Sequence, residues 1–130
     1  MIVAGLVLAG LGGLIHVYIW VLESLVWTGP RARATFGIRS DEEAQLTRAL
    51  AFNQGFYNLF LALAVFAGIV AFAAGAAAVG ATLVFAGAGM MVGAGLVLLL
   101  SSPSKARAAL IQLGPPLLGV VALWIGLATA

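Results

Sequence analysis

The run IVAGLVLAGLGGLIHVYIWVLESLVW, Ile2–Trp27, decides the fold class. A helix crossing the hydrocarbon core of a bilayer needs roughly 20 predominantly apolar residues. This run supplies them and is interrupted only by His16, Glu23 and Ser24. No charged residue precedes it, it is too long for the core of a secretory signal, and no small-residue cleavage site precedes its polar residues. It is therefore expected to stay as a first membrane helix.

Working outward, Thr28-Gly29-Pro30 is a stop signal and opens a polar loop over 28–40. Ser40-Asp41-Glu42-Glu43 has the form of a capping box, with Ser40 as N-cap and Glu43 reaching back. A second helix is expected over about 41–74, starting in water and entering the membrane near Arg48. Only Gly75–Gly80 separates it from the next apolar run, so a tight turn leads into a third helix over about 81–100. The second polar loop is 101–107, where Ser102 precedes Pro103 in the arrangement of an N-cap with proline at N1. The last run, about 103–130, contains Pro115-Pro116, which deletes two backbone donors, so the fourth helix is expected to be broken there, by a kink or a restart. The chain is thus expected to be all-α: one transmembrane domain, an antiparallel up-down four-helix bundle.

Composition agrees. Hydrophobic residues make up 64% of the chain and charged ones 8%, against about 25% charged in soluble domains, and mean hydropathy is +1.19. All six cations (Arg31, Arg33, Arg39, Arg48, Lys105 and Arg107) fall in or beside the first and third connections. With four helices those connections share one side, which the positive-inside rule assigns to the cytoplasm. Both termini are expected on the non-cytoplasmic side of a bacterial inner membrane. The cations serve as topology signals, so no nucleic-acid partner is expected. With no cysteine, thiolate chemistry is excluded.

Glycines crowd the first helix (Gly5, Gly10, Gly12, Gly13) and the third (Gly87, Gly89, Gly93, Gly95), where Gly89–Gly93 forms a GxxxG. Small residues let helices approach closely in lipid. Packing within the bundle is the plainer reading, and a homo-oligomer seam the alternative.

Polar residues inside apolar runs are costly, about 3 kcal/mol for a charge at mid-bilayer on insertion scales. His16, Trp20, Glu23 and Trp27 follow 4-3-4 spacing, which places them on one helix face. Asn53, Gln54, Tyr57 and Asn58 form a stripe on the second helix, and Gln112 precedes the proline pair. Counted from the charged end, the three helices bring these groups to similar depth. They serve either as interhelical hydrogen-bond glue or as a pocket. One histidine with one glutamate leaves a metal site short of ligands, and no serine stands where a triad would need it, so no metal or cofactor is expected.

The motifs His16-Val17-Tyr18-Ile19, Glu23, Trp27, Phe36-Gly37, Asn53-Gln54-Gly55-Phe56-Tyr57-Asn58 and Gln112-Leu113-Gly114-Pro115 resemble the domain-of-unknown-function 1304 family of small bacterial four-helix membrane proteins. The resemblance covers nearly the whole chain and implies that these polar positions are the family's motif positions. It implies no reaction.

The expected site is an intramembrane polar pocket near the cytoplasmic side, made by His16, Trp20, Glu23, Trp27, Asn53, Gln54, Tyr57, Asn58 and Gln112. It would bind a small amphiphile or lipid-derived molecule, with His16 and Glu23 as acid/base candidates if the protein is an enzyme. Two rivals stand beside it: a proton-coupled small transporter using Glu23, and an accessory subunit of a membrane complex.

Overall fold

A peptide group in hydrocarbon must find its hydrogen-bond partner within the protein, and the apolar runs meet that demand as helices. The structure is a computed structural model of all 130 residues. Helix α1 spans Ile2–Trp20 and passes into a π-helical turn, Val21–Leu25. A short helix α2 (Pro30–Phe36) follows, then α3 (Asp41–Ala73) and α4 (Ala77–Ser101). A 3-10 turn at Pro103–Lys105 leads into α5 (Ala106–Ala128). The segments Ile2–Leu25, Asp41–Ala73, Ala77–Ser101 and Pro103–Ala128 are each long and apolar enough to cross a membrane. The chain is a multi-pass, all-α membrane protein.

The four long helices form a ring in which α1 packs on α3 and α5, and α4 packs on the same two. Small residues set these contacts. A Cβ on Gly5 would lie 2.5 Å from the Leu123 backbone nitrogen, and one on Gly119 would lie 2.6 Å from that of Ala9. The α1–α5 seam therefore runs backbone against backbone. At the α3–α4 turn, Gly75 takes the left-handed region at φ 90°, which only glycine adopts without strain. Gly87 and Gly95 also pack within the chain, against α3 and α5. Gly89 and Gly93 do not: nothing lies within 4 Å of a Cβ at either, so this GxxxG faces outward.

Several local features differ from the sequence reading. Helix α1 does not continue as a regular helix to Trp27. The stretch 28–40 is not all loop, because Pro30 at its first turn and Gly37, left-handed at φ 71°, bracket the helix α2. The third long helix begins at Ala77, not near residue 81. Ser40 caps α3 by accepting from the Glu43 backbone at 3.1 Å, whereas the Glu43 carboxylate reaches one residue further back, to the Arg39 N–H at 2.8 Å. Ser102 caps through its carbonyl, which accepts from the Lys105 N–H, and not through its hydroxyl.

The fourth long helix does not restart at Pro115-Pro116: α5 runs through both prolines. Pro116 is fully buried against α1, where a Cβ on Gly12 would lie 2.5 Å from its Cγ. The glycine notch on α1 receives the ring, and the helix is held through its missing donors by packing. The carbonyls of Ile111 and Gln112 are still deprived of their normal N–H partners four residues on.

Candidate functional site

The site lies at the charged-loop end of the ring, where the regular helix of α1 gives way to the π turn. A π turn carries an extra residue per hydrogen-bonded ring, and such turns occur often at functional positions. This one presses on α3 at Gly55, where a Cβ would collide with the Ser24 Oγ and come within 3.0 Å of the Glu23 Cβ. The close approach lets the Ser24 hydroxyl donate to the Phe52 carbonyl at 2.9 Å. It also sets Glu23 beside Asn58, whose Nδ2 donates to the Glu23 Oε2 at 2.8 Å and to the Gln54 carbonyl at 3.2 Å.

Glu23 and His16 are the two buried polar side chains of the core. The His16 Nδ1 lies 2.9 Å from the Gly12 carbonyl. A carbonyl only accepts, so Nδ1 carries the proton and Nε2 is left without a partner in the chain. Glu23 likewise uses one carboxylate oxygen for Asn58 and keeps the other free.

Both residues line a cavity of about 430 Å³. The wall made by α1 and the π turn is the ridge Ile15, Ile19 and Leu22, with His16 and Glu23 beside it. Helix α3 contributes Gln54 and Asn58, α4 contributes Ala94 and Leu98, and α5 contributes Ala108, Ile111 and Gln112. Thr35 and Phe36 of α2 and Lys105 stand at the charged end. All four long helices thus converge on one cavity with largely apolar walls, lined also by five amide, imidazole and carboxylate side chains, of which His16 and Glu23 are buried, Asn58 and Gln112 half-buried and Gln54 exposed. Ile111 and Gln112 are also the residues whose carbonyls the proline pair has deprived of donors.

Of the nine residues singled out from sequence, five line this cavity: His16, Glu23, Gln54, Asn58 and Gln112. The other four lie elsewhere. Trp20 sits about 100° round the helix from Ile19 and turns to α3, where its ring meets Phe56 edge-on at 6.1 Å. Trp27 donates to the Thr47 hydroxyl at 3.1 Å and packs on Phe36 at 5.1 Å, clamping α2 to α3. Asn53 and Tyr57 occupy the exposed face of α3. Sequence reasoning missed Tyr18, Thr35, Phe36 and Lys105 at the cavity's charged end. The motifs His16-Val17-Tyr18-Ile19 and Phe36-Gly37 offered a signal for Tyr18 and Phe36, and nothing pointed to Thr35 or Lys105 as cavity residues.

The family model described as "Protein of unknown function (DUF1304)" matches residues 10–124, which holds every cavity-lining residue. The chain belongs to this family. No curated protein and no solved structure matches it.

Proposed function

We propose that this DUF1304 protein binds a small amphiphilic or lipid-derived molecule in the cavity between its four membrane helices. The observation that carries the proposal is the pair of buried groups with spare hydrogen-bonding capacity, the His16 Nε2 and the second Glu23 oxygen, in residues lining one chamber. Glue would use up its polar atoms on neighbouring helices; Glu23 does so with one oxygen of two, and His16 bonds only to the Gly12 carbonyl of its own helix. A volume of about 430 Å³ falls within the 300–1,000 Å³ typical of small-molecule sites. Gln54, Asn58 and Gln112 would orient the polar part of the ligand, and the Ile15–Leu22 ridge and Leu98 would hold its apolar part. If the bound molecule is also transformed, His16 and Glu23 are the acid/base pair.

The test is ligand-dependent thermal stabilisation of the purified protein in detergent, against native lipid extract, quinones and fatty acids. A ligand at a hundredfold excess over its dissociation constant stabilises by about 2.7 kcal/mol. Wild-type protein is expected to respond, and Glu23→Gln and His16→Gln to fold but lose the response. If no candidate stabilises the wild type and both variants melt as it does, the accessory-subunit reading takes over. Its surface would include the outward Gly89–Gly93 face.

Orientation belongs to the same proposal. With the cations of α2, the α2–α3 link, α3 and the α4–α5 connection at one end, both termini lie on the non-cytoplasmic side of the membrane. A reporter active only in the cytoplasm, fused after Ala130, is expected to stay silent, and a strong signal would reverse the assignment.

A further inference from the structure

The charged end of the cavity carries a second feature that the polar chamber does not explain. A cleft adjoins the chamber and shares with it Tyr18, Thr35, Phe36, Lys105, Ala108 and Ile111. Arg31 and Arg39 border the cleft from the α2 side, and Lys105 and Arg107 from the α4–α5 connection. Glu43 is the one acid on its walls, and its Oε2 is engaged by the Arg39 backbone N–H. The chain's single ion pair is Arg33 with Asp41, and neither residue lines the cleft. Four of the six cations therefore converge on the cavity mouth with no carboxylate pairing any of them.

A topology signal needs cations on one side of the membrane but does not need them gathered around an opening. We infer that the cleft holds the anionic head, carboxylate or phosphate, of an amphiphile whose apolar chain enters the adjoining cavity. This rests on the ligand-binding reading above and specifies the ligand's charge and direction. The head would sit between Arg31 and Arg39 on one side and Lys105 and Arg107 on the other. The chain would pass the shared wall of Ala108 and Ile111 and run inward along Ile15 and Ile19 toward Gln112. From Lys105 to Gln112 is roughly 10 Å at helical rise, so a single extended chain spans the distance.

The test titrates the full chain, in a non-ionic maltoside detergent at low salt, with oleate, 1-oleoyl lysophosphatidate, neutral monoolein and inorganic phosphate. The readout is apparent affinity from the concentration dependence of thermal stabilisation. Oleate and lysophosphatidate are expected to bind at least tenfold more tightly than monoolein, and phosphate alone to have no effect. A cation near an anionic head is worth about fivefold in affinity. Arg39→Gln and Arg107→Gln should each weaken both anionic ligands about that much, and the double variant roughly 25-fold. Both side chains are exposed, so folding is not at stake. Arg48→Gln removes the same charge outside the cleft and is expected to change nothing. Equal losses from Arg48→Gln and Arg107→Gln would reduce the effect to general surface potential and overturn the inference. Stabilisation by phosphate alone would overturn it too, by showing an anion site without a chain. Monoolein binding as tightly as oleate, yet lost in Glu23→Gln, would sink the anionic head and leave the polar pocket standing.

Discussion

Gly55→Ala is expected to destabilise the protein by about 1–3 kcal/mol and to abolish the ligand response, while Gly89→Ala leaves both intact. Two opposing effects decide the sign. Alanine is favoured over glycine in a helix by about 1 kcal/mol, and at Gly89 nothing lies within 4 Å to oppose it. At Gly55 the new methyl meets the Ser24 hydroxyl and the Glu23 Cβ, with the Ser24 backbone nitrogen at 3.1 Å. Overpacking of this kind costs about 1–3 kcal/mol. The Ser24-to-Phe52 hydrogen bond goes with it, at about 1 kcal/mol. Unfolding in detergent gives the stability, and the amphiphile titration gives the response. If Gly55→Ala proves as stable as Gly89→Ala and still binds, the contact between the π turn and α3 is not what positions Glu23.

That contact also marks the limit of what the sequence could say. The membrane spans were legible because long apolar runs and clustered charges leave few alternatives, and the structure bears out the four-helix membrane bundle. The π turn was not legible: no residue of Val21–Leu25 requires it, and its register depends on how closely Gly55 lets α3 approach. On α3, Asn53 with Tyr57 and Gln54 with Asn58 are both i, i+4 pairs, about 100° apart. Polarity alone did not say which pair borders the cavity. The signal was in the small residues: Ala51, Gly55 and Ala62 are buried on α3, and Asn58 lies on that face while Tyr57 does not. The proline pair brought no restart of the helix for a related reason. A break follows from local backbone chemistry, but the ring of Pro116 has Gly12 to lie against, a contact more than 100 residues away in sequence. Trp20 and Trp27 were placed by spacing on the His16 face, yet large aromatic rings on that flank of the helix found α2 and α3 instead.

The cluster's purpose shows most clearly in Glu23→Leu, which is expected to leave the protein as stable as the wild type or more stable, while eliminating ligand-dependent stabilisation. A buried carboxylate in an apolar segment carries a penalty of up to about 3 kcal/mol on insertion scales. Its one partner in the chain is Asn58, and an interhelical hydrogen bond of this kind returns about 0.6 kcal/mol on average. Removing Glu23 does not strand Asn58 either, because its Nδ2 also donates to the Gln54 carbonyl at 3.2 Å. Leucine is close in size and would extend the apolar ridge of Ile15, Ile19 and Leu22. Stability therefore gives no reason to keep a glutamate at this position, and ligand binding does. The comparison needs three proteins: wild type, Glu23→Leu, and Asn58→Leu, which leaves the carboxylate without its donor and is expected to be the least stable. A Glu23→Leu protein that melts several degrees below wild type would make Glu23 a structural tie between α1 and α3. The chamber would then be a packing defect, and the outward glycine face of α4 the surface through which the protein acts.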